Sequence, residues 1–378
     1  MNWPRIPLRD LLVQGFDEVA VDPDQEYPMV GVRGFGRGLY FREVLAGSST
    51  SYCSFYRVHP GDLVMSRVKA WEGAVAVVPN ELGGHFVSKE FPCFRSLDER
   101  ILTTFVWYFL RSSEGMDLLR RATSGMGARR ERVREGEFLA VEVPVPSLEE
   151  QRRVVDRVDE MFLKVDTARC LRDEADHQYE KLKLALVLQG SHRPVEEFVD
   201  WITDLHAVDP AESYQFAGVK SFGRGVFLGD LRTGSDFMYT RLARLRYQDF
   251  VFPKLMAWEG AFGMVPRPLD GTWVSPEFQV FRVREDELLP EVLDTYFRSE
   301  VCLPAVRAAS TGTNVRRRRL NPKAFLKLTV PVPSKQAQLV LRELYCKEAP
   351  LRAATVAQRR MLAQVEHAVL DRAFRGGL

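Results

Sequence analysis

Apolar residues from Val154 onward fall on one seam: Val154, Val158, Met161, Val165, Ala168, Arg172, Ala175, Tyr179, Leu182 and Leu186. The steps alternate four and three throughout, a heptad with one polar position, Arg172. A 3.5-residue seam sustained this long predicts a helix packed along a partner helix, as in a coiled coil. Charged Arg152, Arg153, Asp156, Asp159 and Glu160 fill the other faces. Pro144 and Pro146 stop a strand ahead of it. Ser147 followed by Glu150 forms a capping box, and Gly190 with Pro194 ends the helix. At 1.5 Å per residue such a helix is on the order of 60 Å long, a spacer.

A second seam, weaker at its start, begins after Ser334. Beyond Pro350 it runs Leu351, Ala354, Gln358, Met361, Val365, Ala368 and Arg372. Pro350 is predicted to kink or break that helix.

Between the seams the pattern shortens to strands. Met29 to Phe41 reads as β, interrupted by Gly31, Gly34, Gly36 and Gly38. Phe55–Val58, Leu63–Val68, Gly73–Val78 and Phe86–Phe94 follow, with a turn at His59-Pro60-Gly61-Asp62. Ile101–Leu110 and Met116–Ala122 read as helix, Thr123–Arg132 as a basic loop, and Leu139–Val145 as a strand leading into the first long helix. In the second half, Leu326–Val332 is the corresponding strand.

The chain repeats itself at a constant offset of 187. Tyr27 maps to Tyr214, Gly31 to Gly218, and Phe35-Gly36-Arg37-Gly38 to Phe222-Gly223-Arg224-Gly225. Trp71-Glu72-Gly73-Ala74 maps to Trp258-Glu259-Gly260-Ala261. Ser88, Glu90 and Phe94 map to Ser275, Glu277 and Phe281. Gly125 maps to Gly312, Arg129-Arg130 to Arg316-Arg317, and Pro144-Val145-Pro146-Ser147 to Pro331-Val332-Pro333-Ser334. No gap is needed, so the order is globular, helix, globular, helix. The expected segments are 1–146, 147–190, 191–333 and 334–378. The two helices are each other's natural partners, antiparallel, and an internal repeat on such a pair has a pseudo-two-fold axis. Two similar modules related in this way match the symmetry of duplex DNA.

Composition narrows this further. With 378 residues there is room for two domains, and a net charge of +2 requires any nucleic-acid contact to come from clustered basic residues. The five cysteines lack CxxC spacing and are odd in number, which fits reduced packing residues in a reducing, cytoplasmic setting. No apolar run spans a bilayer and the N-terminus lacks a signal pattern, so no membrane is expected. The glycine stretch at 31–38 could suggest a phosphate cradle, but no Walker lysine accompanies it. No methylase Asn/Asp-Pro-Pro-Tyr/Phe motif, metal-ligand set or nucleophile constellation occurs, and the six histidines are scattered.

This order of parts resembles the specificity (S) subunit of type I restriction–modification enzymes. Three motifs carry the likeness besides the order: Gly61-Asp62-Leu63-Val64-Met65-Ser66-Arg67, the aromatic helix Trp107-Tyr108-Phe109-Leu110, and, most specifically, the junction Val143-Pro144-Val145-Pro146-Ser147-Leu148-Glu149-Glu150-Gln151-Arg152. Ala373-Phe374-Arg375-Gly376-Gly377-Leu378 is similar to the usual end of the second helix. The second junction, Lys335-Gln336-Ala337-Gln338, departs by lacking the glutamates. The resemblance implies an α+β fold with two tandem target-recognition domains joined by a long antiparallel two-helix coiled-coil spacer. It implies a non-catalytic reader of a bipartite, asymmetric site in double-stranded DNA. Two methyltransferase subunits are the expected partners, with a motor–nuclease restriction subunit as an optional third. No cofactor is expected on this chain; S-adenosylmethionine, ATP and magnesium belong to the partners.

Residues shared by both units serve the scaffold or sequence-blind phosphate contact, and residues that differ can serve base readout. The candidates for DNA contact are Arg37, Lys69, Arg129, Arg130 and Arg132 in the first unit, and Arg224, Lys254, Arg316, Arg317, Arg318 and Arg319 in the second. Trp71 and Trp258 fit core packing better than base contact. Glu72 and Glu259 could hold a basic neighbour or accept from a cytosine amino group. The unlike stretches Ser48–Tyr56 and Ser235–Ala243 predict unlike half-sites, with centres about one duplex turn apart, ~34 Å. Phe162, Leu171 and Leu184 lie off the seam and are the expected docking surface for a partner subunit. Two rivals remain: a self-contained DNA-modifying enzyme, which needs an active site, and a stand-alone DNA-binding regulator, which needs no methyltransferase.

Overall fold

The structure, a computed structural model, describes residues 3–15, 17–123, 132–312 and 317–375. Contacts divide the chain into two units, Met1–Cys170 with Val356–Leu378, and Leu171–Thr355. Each unit therefore holds part of both long helices.

In the first unit a five-stranded sheet runs in the order Glu18–Ala20, Ser54–Arg57, Phe86–Val87, Glu26–Val32, Leu39–Ala46. Its one parallel contact sets Met29 opposite Phe86. A four-stranded antiparallel sheet follows the order Leu12–Gly15, Cys93–Ser96, Leu63–Met65, Val75–Val77. Helices α1 (Thr103–Arg111) and α2 (Ser113–Arg121) complete the core with Phe94, Phe105 and Phe109. The elbow between them requires glycine: a Cβ on Gly115 would lie 2.1 Å from the Phe109 carbonyl oxygen. A short helix, α3 (Glu135–Leu139), precedes strand Glu142–Pro144, which pairs with Arg5–Pro7. The expected strand Leu139–Val145 is thus corrected at its start, because Glu137 accepts the Arg134 N–H and caps a turn of helix there.

The second unit repeats this topology strand for strand. Its five-stranded order is His206–Ala207, Arg241–Arg244, Trp273–Val274, Ser213–Lys220, Gly225–Thr233. Its four-stranded order is Val199–Ile202, Phe278–Val283, Phe250–Pro253, Gly263–Met264. Helices α5 (Pro290–Phe297), α6 (Leu303–Ala309) and α7 (Pro322–Leu326) follow, α7 taking the start of the expected strand because Asn321 caps it and Pro322 opens it. Strand Ser191–Pro194 pairs with Thr329–Val332, the counterpart of the Arg5–Pro7 pairing.

The long helices are α4 (Leu148–Leu188) and α8 (Lys335–Phe374). Each starts from a buried glutamine that latches it to its unit. Gln151 accepts from the Leu102 N–H and donates to the carbonyls of Arg100 and Pro146. Gln338, 187 residues on, does the same with Leu289, Glu287 and Pro333.

The seam differs from the heptad in its later turns. Val154, Val158 and Val165 are buried as expected, but Lys183 and Val187 are buried where Leu182 and Leu186 were expected. Leu182 is exposed and Leu186 half-buried. In α8 the frame moves by the same single residue: Thr355, Leu362, Glu366, Val369 and Ala373 face inward, while Met361 is 61% exposed. In α8 the offset is constant from Thr355 onward, whereas in α4 it accumulates along the helix, and there the cause is geometric. A helix at 3.6 residues per turn drifts by roughly 20° per heptad from a 3.5 repeat, so four heptads shift the facing position by about one residue. Val154, Val165, Asp176 and Val187 sit eleven residues apart, the spacing of a helix that has not underwound.

Polar pairs occupy part of the seam. Lys183, 1% exposed, bonds Glu348 at 3.0 Å; Arg172 donates to Thr355; Arg169 meets Glu366 at 2.6 Å. Pro350 does not break α8, which continues through it. The contacts of Glu348 and Thr355 on either side hold the helix across the missing N–H.

Candidate nucleic-acid interface

In each unit three stretches meet at one single-turn 3-10 helix. In the first unit this turn is Ala70–Glu72, closed by Gly73 at φ 76°; in the second it is Ala257–Glu259, closed by Gly260 at φ 81°. Buried Ala70 and Ala257 root the turns in the core. The hairpin tip Phe35-Gly36-Arg37-Gly38 is stitched to the first turn: Phe35 N donates to Glu72 O at 2.6 Å, and Gly36 N to Gly73 O at 2.9 Å. The second unit repeats both bonds, Phe222 N to Glu259 O at 2.9 Å and Gly223 N to Gly260 O at 3.0 Å.

The base of each basic loop is held the same way. Val133 N donates to Arg67 O, and Leu320 N to Lys254 O. Arg132 lies 3.5 Å from Glu90, and Arg319 lies 3.5 Å from Glu277, again at offset 187. Those two arginines carry a structural tie besides any contact with DNA. Lys254 donates to Pro276 O at 3.4 Å. Lys69 is largely exposed, 3.9 Å from Glu72. Arg317 is exposed and Arg318 half-buried. Arg129, Arg130 and Arg316 lie outside the described residues, as do Gly125 and Gly376 to Leu378.

Arg37 and Arg224 stand on the exposed tips. Their Nε atoms donate back to Gly34 O at 3.2 Å and Ser221 O at 3.1 Å, which points the guanidinium past the adjacent Phe ring. Trp71 and Trp258 are half-buried, Trp71 against the core and donating to Val68 O. Glu259 accepts from Ser221 at 3.1 Å. In the unlike stretches Tyr52, Met238 and Tyr239 are exposed.

Sequence reading missed two groups, of which the first holds these tips. Arg298, which caps the C-terminus of α5, donates to Gly223 O at 2.8 Å and to Asp294 at 2.8 Å, and Tyr345 of α8 donates to Asp294 at 2.7 Å. Burial alone would raise the Asp294 carboxyl, but Arg298, Tyr345 and the Met264 N–H overcome it and hold the carboxyl below its usual value. At the matching position Arg111 stacks over Trp107 and Phe162 at 4.8 Å each, and burial lowers its pKa. A Cβ on Gly36 would collide with Arg111 at 2.7 Å. The second group is the pair Asp62–Arg95, repeated as Asp249–Arg282. Identity at offset 187 was the available signal for Arg111 with Arg298 and for the two Asp–Arg pairs, whereas Asp294 and Tyr345 stand opposite Trp107 and Val158 and carried none.

Of the expected docking residues, Phe162 packs edge-on against Tyr108, Leu184 is half-buried, and Leu171 is 67% exposed. Leu163 is exposed as well. Among the described residues no helix is long and apolar enough to cross a membrane, and no cluster suits a metal ion.

Residues 20–174 match the family model of the type I restriction modification DNA specificity domain. No curated protein sequence matches the chain. A solved structure described as the basis of complex assembly and conformational transition of the type I R-M system aligns over 100% of this chain and 98% of its own, at 19% identity and a TM-score of 0.64. That likeness shows the fold. The HsdS subunit from Thermoanaerobacter tengcongensis aligns over 100% and 97% at 19% identity with a TM-score of 0.47. The type I S subunit from M. genitalium aligns over 99% and 96% at 13% identity with a TM-score of 0.43.

Proposed function

We propose how this chain, a non-catalytic DNA specificity subunit of a type I restriction–modification system, reads its target: each unit presents its hairpin tip, 3-10 turn and basic loop to one half of a split site in duplex DNA. The observation that carries this is the repetition of that cluster's backbone bonds, Phe35 and Gly36 matching Phe222 and Gly223, and Val133 matching Leu320, in two units whose Ser48–Tyr56 and Ser235–Ala243 stretches differ. Shared arginines supply phosphate contact, and the unlike stretches read unlike half-sites. The target is therefore bipartite and asymmetric, and the length of α4 sets the gap between its halves. The segments 1–146 and 191–333 act as the two target-recognition domains, and 147–190 with 334–378 as the spacer. Two methyltransferase subunits, carrying S-adenosylmethionine, dock on the exposed apolar positions of the long helices, such as Leu171; a restriction subunit using ATP and magnesium is the optional further member of that assembly.

Adenine methylation mapped by long-read sequencing, in cells carrying the methyltransferase gene with and without this one, tests the reading. A split motif with a fixed gap, present only with both genes, is the expected result. Unchanged methylation with both proteins expressed would overturn it in favour of a stand-alone regulator.

A further inference from the structure

We propose that Phe35 and Phe222 are themselves DNA contacts: apolar side chains that press on the deoxyribose wall of the groove, once per half-site and without reading sequence. The proposal rests on the DNA-reading function above and adds the residue that makes a shared, non-ionic contact.

The backbone supplies the first argument. Phe35 has φ 60° and Phe222 has φ 63°, two of three non-glycine residues with positive φ among those described. A bulky aromatic residue in that region is strained, and glycine would hold the same turn without strain. The following residues, Gly36 and Gly223, are glycines at φ 63° and 66°. Phenylalanine therefore stands where the fold alone favours glycine.

Burial does not repay that strain. The side chains are 66% and 71% exposed. The backbone beneath them is rigid, since Phe35 and Phe222 each donate to the neighbouring 3-10 turn. An exposed aromatic ring on a fixed backbone has little entropy to lose on binding.

The surroundings identify the partner. Each ring has an exposed arginine beside it, Arg37 at 5.8 Å from the Phe35 ring and Arg224 at 5.9 Å from that of Phe222, and an exposed cation two residues earlier in the chain, Arg33 or Lys220. Arg33 lies over the Tyr40 ring at 5.0 Å, and Lys220 over the Phe227 ring at 5.0 Å, so the inner cation is aligned by an aromatic residue in both. An apolar group flanked by positive charges fits a nucleic-acid groove, with sugars between phosphates, and suits a neutral protein surface poorly. Because the arrangement is shared while Ser48–Tyr56 and Ser235–Ala243 are not, it serves both half-sites alike.

The test uses F35G and F222G in the complex of this subunit with its methyltransferase. Glycine suits φ 60°, so both variants are expected to melt at or above the wild-type temperature. Each is expected to weaken binding about tenfold on target duplex and on random duplex alike. The salt dependence of binding stays unchanged, since no counterion is released by an apolar contact, whereas R37A lowers the slope by about one. The methylated motif stays the same. Wild-type affinity in F35G and F222G overturns the proposal. So does a changed motif, which would make the ring a base reader, or loss of the methyltransferase from the complex, which would make it a subunit contact. A wild-type complex that binds no split target overturns the DNA-reading function itself, and is distinguishable because it appears before any substitution is made.

Discussion

The Nε of Arg298 donates to the carbonyl oxygen of Gly223 at 2.8 Å, so one guanidinium ties the tip of a surface hairpin to the aromatic helix behind it. Through Asp294 and Tyr345 the same chain of bonds reaches α8. The first unit makes this connection by stacking instead, with Arg111 between Gly36 and Phe162.

Those two solutions predict unequal costs. R298A leaves the buried Asp294 carboxylate without its cation and is expected to destabilise the second unit by about 3–5 kcal/mol. R111A loses ring contacts and packing, and is expected to cost about 1–2 kcal/mol. Limited proteolysis, read separately on fragments from each unit, measures both; equal losses would refute the asymmetry.

Acid should act through the same group. Asp294 is held below its ordinary 3.8, so its contribution to stability is complete above that value and is lost as pH falls through its lower folded value. D294N is expected to remove this dependence. Melting temperature against pH, compared between wild type and D294N below pH 3.8, checks it.

The glutamine latches make a paired prediction. Q151A strips the Leu102 N–H of its acceptor, and Q338A strips that of Leu289. Each is expected to cost about 1–3 kcal/mol. Amide exchange should quicken at Leu102 in the first variant and at Leu289 in the second, and not the reverse.

For the helix pair, K183A removes the buried ammonium that bonds Glu348 at 3.0 Å and Glu180 at 2.9 Å, and an expected loss of about 3 kcal/mol follows. K183M combined with E348L should recover most of it, because an apolar pair of similar volume needs no desolvation. A double-mutant cycle by urea unfolding gives the coupling.

Docking separates by exposure. L171E, at a position 67% exposed, should leave melting unchanged and abolish co-purification with the methyltransferase. F162E should lower the melting temperature first, because that ring packs on Tyr108 and Arg111. L171E that still co-purifies would place the docking surface elsewhere.

By itself the sequence determined the α+β class, the repeat at offset 187, the two long helices and their starts at Ser147 and Ser334. These are local or periodic properties, and an internal copy supplies the comparison that an isolated domain lacks. It also singled out Arg37 and Arg224 as candidates, since identity between copies is visible without coordinates. Only the tertiary structure decided which helix positions face inward. Hydrophobic periodicity cannot register Lys183, Glu366 or Thr355 as interior, because their burial depends on a partner across the pair. Nor can it register a drift of roughly 20° per heptad, which turns Leu182 outward and Val187 in. The positive φ of Phe35 and the role of Arg298 are likewise products of packing: bonds to residues dozens of positions away set both.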